Sequence, residues 1–113
     1  MVAPMLRNEH IRLAPAGKFK SGNLTVDVAR FEVRVDGRPV DLTPREFALF
    51  LYLAQHPGAV HDAESLAKNA WPEYGGAPQA VRVCMHRLRK KLANSKPWRI
   101  KTVWTLGYRF TSS

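Results

Sequence analysis

A chain of 113 residues is one domain's worth of polypeptide, and 45% apolar residues with 10% aromatics exclude a disordered tail. The formal net charge of +9 favours an anionic partner, while a single cysteine, Cys84, excludes an intrachain disulfide and fits a reducing cytosol. The longest apolar run, FALFLYLA at 47–54, is too short to span a bilayer, and the first ten residues lack a signal-peptide core, so a cytoplasmic location is expected.

Residues 1–17 are polar and mixed, carry Pro4, Pro15 and Gly17, and show no sustained period. They predict a flexible arm or linker, with a core-swapping first strand as the alternative; residues 18–113 then form the domain. From 19 to 42 the pattern is one of short β segments. LTVDVA alternates Leu24, Val26 and Val28, and FEVRV alternates Phe31, Val33 and Val35, with Glu32 and Arg34 turned the other way. Asp36-Gly37, between two such runs, is the commonest short hairpin signal. An antiparallel four-stranded β-meander with one wet face is predicted.

DLTPREF, residues 41–47, switches the period from two to about 3.6. Thr43 suits an N-cap, Pro44 the first helical position, and Glu46 completes a capping box. Phe47, Phe50, Leu51 and Ala54 form one apolar face, Leu49 and Leu53 widen it, and HPG at 56–58 stops the helix. A second helix starts from Asp62 as N-cap and runs through Leu66 and Ala70 to Trp71. PEYGGAP, residues 72–78, breaks it, and Pro78 opens a third helix over about 78–94.

The third helix contains VRVCMHRLRKKLA, residues 81–93, with five Lys or Arg and no acid. Cys84, Leu88, Val81, Leu92 and Met85 fall within about 100° of arc and face the core. Gln79, Arg82, Val83, His86, Arg87, Arg89 and Lys90 stand opposite. WRIKTVWTLGYRF then reads as a terminal hairpin over about 98–110, turning at Thr105-Leu106-Gly107. Residues 1–73 hold nine Lys/Arg and all nine Asp/Glu, whereas residues 74–113 hold nine Lys/Arg and no acid. The anion-binding part is therefore the C-terminal third.

Helix, helix, basic helix and hairpin is the layout of an α+β winged helix–turn–helix. LTPREF, HRLRKKL and V-x-x-x-GYRF, in that order over residues 42–110, resemble the C-terminal effector domain of OmpR/PhoB-type bacterial transcription regulators. The resemblance implies sequence-specific binding to direct repeats in double-stranded DNA, the third helix in the major groove and the hairpin wing at the minor groove, with a second copy on the neighbouring repeat. It also implies that the 72–78 connector touches RNA polymerase, although the residues alone read equally as a plain connector. Relatives in this family carry a receiver domain before the effector domain. A chain of 113 residues has no room for both, so an excised effector domain or a stand-alone binder is expected.

Arg87 is the first candidate for a base contact, because the family position is usually Arg and arginine pairs bidentately with guanine. Val83 lies mid-face, where a thymine methyl suits it better than any packing partner; the plainer alternative is a tolerated surface valine. Gln79, His86 and Arg82 share that face and can meet bases or phosphates. Arg82 stands where the family often has an acid, so a relative's target sequence does not transfer. Arg89, Lys90 and Lys91 are read as phosphate contacts that set register. In the wing, Lys101, Arg99 and Arg109 supply charge and Thr102 a phosphate hydrogen bond. Trp104 replaces the arginine frequent there, and Thr105 the usual glycine. Period-two alternation puts Trp104 inward with Trp98 and Ile100, the favoured reading because large aromatics stabilise small sheets. The other roles are to lie flat on sugars or to wedge a base step. A weaker preference for A·T-rich flanks than an arginine wing would give is expected.

No catalytic residues, cofactor or metal are expected: Cys84 and His86 lie about 200° apart on a helix, and His10, His56 and His61 form no ligand spacing. A membrane-lying basic helix is disfavoured by the narrow stripe, which is needed to close a core. A winged helix that binds RNA or a protein partner such as RNA polymerase is the remaining alternative.

Overall fold

The structure, a computed structural model, describes residues 12–14, 17–74 and 77–112. Alternation sends Phe19, Leu24, Val26, Val33 and Val35 to one buried face. They lie on β2 (Lys18–Ser21), β3 (Leu24–Asp27) and β4 (Glu32–Val35), with Leu24 opposite Val35 and Val26 opposite Val33. Asp36 (φ 53°) and Gly37 (φ 78°) are both left-handed, the geometry of a two-residue hairpin turn into β5 (Arg38–Val40).

Two details depart from the sequence reading. β1 (Arg12–Ala14), from within the segment read as an arm, pairs antiparallel with β2, so the sheet has five strands in the order β1-β2-β3-β4-β5. Residues 1–11 and 15–16 lie outside the described residues. Phe31 does not extend the inner face of β4. It sits in the preceding turn at φ 52°, 72% exposed, with its ring edge-on to Phe47 at 5.3 Å.

The capping box forms as the sequence requires. The Glu46 amide donates to Thr43 Oγ1 (3.2 Å) and the Thr43 amide to Glu46 Oε1 (3.0 Å), starting α1 (Pro44–Gln55). Asp62 accepts from the Ser65 amide (2.8 Å) to start α2 (Ala63–Ala70). Trp71 ends α2 and is buried; its Nε1–H donates to the Arg45 carbonyl (3.0 Å) while the Arg45 guanidinium lies 4.7 Å from its ring centre. The end of α2 is thereby fastened to the start of α1. A 3₁₀ turn (Pro72–Tyr74) leads towards α3 (Pro78–Lys91), which has Pro78 in its first turn.

The C-terminal hairpin comprises β7 (Arg99–Val103) and β8 (Gly107–Thr111). A third strand, β6 (Val60–His61), pairs with β8 and gives the order β6-β8-β7. Two residues carry no readable period, so β6 has no sequence signal. Trp98 stacks on Phe110 (5.0 Å), which meets Phe50 of α1 edge-on (5.7 Å), so the hairpin shares the helical core. Asn23, in the β2–β3 turn, accepts from the Lys96 amide (2.7 Å) and donates to the Asn94 carbonyl (2.9 Å), clasping the α3–β7 connection to the N-terminal sheet. The result is a winged helix–turn–helix. Among the described residues no helix is long and apolar enough to cross a membrane.

Candidate nucleic-acid interface

α3 carries both the core contact and the exposed basic face. Val81, Cys84, Met85 and Leu88 are buried on its stripe, with Leu92 just beyond its end. Gln79, Arg82, Val83, His86, Arg87 and Lys90 are all exposed, as their angular positions require. Val83 is 53% exposed and is the one apolar side chain on that face. Arg89, expected opposite the stripe, is instead half-buried: it lies only about 40° round from Met85, on the flank turned to the wing.

That flank is fastened to the wing. Arg89 Nη1 donates to Thr102 Oγ1 (2.6 Å), and its guanidinium lies 5.8 Å from the Tyr108 ring centre. Charge-assisted hydrogen bonds are the stronger kind, so α3 and β7 hold a fixed relation. A hydroxyl that accepts from Arg89 still carries a hydrogen to donate. Thr102 is thus both a clamp and an exposed donor.

Lys91, expected on a phosphate, has a partner within the protein. Its Nζ lies 2.6 Å from Oε1 of buried Glu46, tying the last turn of α3 to the first turn of α1. Burial pushes the Glu46 carboxyl up, but Lys91 and Thr43 outweigh it and hold the group below its ordinary 4.5. Both charges also sit at the helix ends that favour them. Burial raises the Cys84 thiol to about 11, assisted by Glu46, so it stays protonated at neutral pH and serves as a packed residue.

The wing contradicts the favoured reading of Trp104. Trp98 and Ile100 are buried, but Trp104 is 87% exposed. The alternation of burial already fails inside β7 at Thr102, which is exposed where the hairpin runs out past the core, and β7 ends at Val103. Trp104 belongs to the turn, closed by Leu106 N–H donating to the Val103 carbonyl (2.9 Å), with Thr105 left-handed at φ 62°. Leu106 beside it is 60% exposed. Arg99 and Lys101 are exposed on β7, while Arg109 is half-buried, its Nε without a hydrogen-bond partner. At the base of the wing, burial holds His61 below its ordinary value, so the imidazole is neutral at pH 7 against the rings of Tyr52 and His56.

The wing turn and the first half of α3 face one another across a cleft of about 280 Å³, lined by Arg82, Thr102, Trp104, Leu106 and Tyr108, with Asp62 at its edge. Asp62 is the one acid on this wall, and its carboxylate caps α2. Among the described residues no group of three His, Cys, Asp or Glu is placed to hold a metal ion.

Residues 37–110 match the family model described as "Transcriptional regulatory protein, C terminal". The chain belongs to this OmpR/PhoB-type effector-domain family. Among its relatives, the effector domain is 39% identical to the Bacillus subtilis transcriptional regulatory protein ResD over 92 residues, 78% of this chain and 38% of ResD. It is 41% identical to the uncharacterized B. subtilis transcriptional regulatory protein YclJ over 88 residues, 76% of this chain and 39% of YclJ. The chain thus spans about two fifths of the length of these regulators. The Klebsiella pneumoniae RstA DNA-binding domain, crystallised in complex with the RstA box, superposes with a TM-score of 0.72 at 36% identity, covering 85% of this chain and 98% of that one. The family is one of transcription-regulatory domains rather than enzymes.

In this effector domain the structure brings Arg82, Thr102 and Trp104 to one cleft and Arg89 to Thr102. Gln79, Val83, His86, Arg87 and Lys90 stand on the open face of α3. Lys101 is exposed on β7. The Arg89–Thr102 clamp had a partial signal, the angle of about 40° between Arg89 and Met85, which the placement of Arg89 opposite the stripe passed over. The Lys91–Glu46 pair had none, since 45 residues separate the partners.

Proposed function

We propose that this domain binds double-stranded DNA sequence-specifically as the effector of a bacterial transcription regulator. One observation carries the reading: an exposed face of α3 bearing Arg82, Val83, His86, Arg87 and Lys90, beside a basic wing, in a C-terminal third that holds no acid. A helix fits the major groove, and a hairpin clamped to its flank reaches the neighbouring minor groove, so one sugar–phosphate strand passes between them. The cleft between Arg82 and Trp104 receives that strand. RstA supports this by similarity, as it is crystallised with a DNA box.

Arg87 reads a base, Gln79 and His86 flank it, and Val83 meets a thymine methyl. Arg89, Lys90, Lys101 and Thr102 position the protein on phosphates. The domain from β1 onward acts as the binding unit, by binding rather than catalysis, with a second copy on a direct repeat and the 72–78 connector available to RNA polymerase. A cytoplasmic location accompanies the role.

Enrichment of bound duplexes from a random library, with competition by scrambled duplex and by RNA, tests the reading. A recurring direct repeat is expected. On it, Arg87→Ala should cost about 1–3 kcal/mol and relax preference at one base pair, whereas Lys90→Ala should weaken enriched and random DNA alike. Equal losses from both substitutions on both DNAs would remove Arg87 as a reader, and preferential competition by RNA would overturn the DNA reading.

A further inference from the structure

We infer that the wing tip is an apolar wedge, with Trp104 entering a flexible base step from the minor groove and Leu106 backing it. The inference rests on the DNA-binding reading above and adds how the wing selects its site. Trp104 and Leu106, at 87% and 60% exposed, are two large apolar side chains side by side at the end of a hairpin. Neither supports the core, which Trp98, Ile100 and Phe110 already close from the other end of the same strands.

The turn is held so that it presents them. The Leu106-to-Val103 hydrogen bond closes it, Thr105 takes the left-handed conformation, and Gly107 packs so tightly that a Cβ there would run into the His61 carbonyl. The Arg89–Thr102 bond fixes the direction of the hairpin relative to α3. A preorganised tip loses little freedom on binding.

The surroundings identify the occupant. Arg82 shares the cleft with Trp104, and Arg99, Lys101 and Arg109 lie along the same hairpin. An exposed apolar pair with Arg82 across the cleft, and with Lys101 and Arg109 paired two steps back along the hairpin, matches a nucleic-acid groove, where the cations hold phosphates and the apolar group replaces base-on-base stacking. A narrow A-tract groove attracts cations, which a tryptophan does not supply; pyrimidine–purine steps unstack most easily. The wedge therefore selects TA or CA steps by deformability.

The experiment uses the duplex enriched above with the wing-facing step set to TA, CA, AA or GC, and with 2-aminopurine beside it. Binding is measured for the wild type, Trp104→Ala, Trp104→Phe and Trp104→Arg, together with each protein's melting temperature. Trp71 and Trp98 are buried, so tryptophan quenching by acrylamide reports chiefly on Trp104. The expected result is about tenfold tighter binding at TA or CA than at AA, the scale of one disfavoured base pair. It comes with a rise in 2-aminopurine fluorescence and protection of Trp104 from quencher. Trp104→Ala should lose all three signals without a drop in melting temperature, Trp104→Phe should keep most of the preference, and Trp104→Arg should move it towards AA. Binding with Trp104 still open to quencher, or protected without any 2-aminopurine response, overturns the wedge while leaving DNA binding intact. Failure of the wild type to bind any of the duplexes overturns both readings.

Discussion

Lys91 shows how one contact decides between two roles for a basic residue. Its neighbour Lys90 points to solvent, while Lys91 pairs with Glu46, whose side chain is 4% exposed against 35% for Lys91. Removing the ammonium leaves a buried carboxylate with only its Thr43 contacts. Lys91→Ala should destabilise the fold by about 2 kcal/mol, short of the roughly 3–5 for a fully buried pair because Lys91 is part-exposed. DNA affinity measured on the folded variant should change little. The pH dependence has a definite sign. Glu46 titrates below its ordinary 4.5, so the pair's stabilisation is complete above that pH and is lost as pH falls through the lower folded value. Urea melts of both proteins between pH 7 and pH 3 should therefore converge towards the acid end. A constant gap across that range would show that Lys91 acts through packing alone.

Among the elements, the wing depends most on a backbone position. Gly107 has φ 144°, and a Cβ there would meet the His61 carbonyl and the Asp62 Cα, breaking the pairing of His61 with Tyr108. Gly107→Ala should cost about 2–4 kcal/mol from strain and displacement together. It should also release the wing, lowering DNA affinity at temperatures where a melting curve shows the fold intact. Unchanged melting would mean that β6 simply moves aside. Most elements with a local device were legible from residue order: the Thr43–Glu46 box, the Asp62 cap, the Asp36-Gly37 turn and the α3 stripe each need only four to fourteen consecutive residues. Elements defined by partners far along the chain were not. β1 and β6 exist through pairing with β2 and β8, and Lys91 through Glu46. Trp104 was misplaced because alternation was carried beyond Ile100, where the hairpin leaves the core and Thr102 is already exposed, and past Val103 into the turn. Phe31 fails because it lies in the turn before β4, outside the strand. On the interface itself, angular position sorted the exposed residues of α3 except Arg89, which is half-buried, and it could not show that Arg89 reaches Thr102.

At the scale of the whole molecule, the charge is arranged as a neutral scaffold carrying a cationic face. The acids of the first 73 residues are equalled in number by basic residues there, with Asp27 near Lys18 (3.9 Å) and Arg30 (3.7 Å) and Glu32 near Arg34 (3.4 Å), while Glu46 pairs with Lys91. The Glu32–Arg34 pair adds little stability at the surface, and the partners of buried Asp27 are themselves exposed. These pairs do keep the N-terminal sheet from competing for phosphates, so the field is directed by α3 and the wing. Association with DNA should then be dominated by release of counterions, with log K falling against log[salt] by about 0.9 per phosphate neutralised. Arg82, Lys90, Arg99, Lys101 and Arg109 with partial help from Arg89 imply a slope of about −5 on the enriched duplex. Because Lys91 is already neutralised by Glu46, Lys91→Met should leave that slope unchanged, whereas Lys90→Ala should reduce its magnitude by about one. Titrations at four salt concentrations with the two variants and the wild type separate these cases. A slope near zero would exclude phosphates as the main attraction. A slope that fell equally for both variants would place Lys91 on DNA and its contact with Glu46 only in the unbound protein.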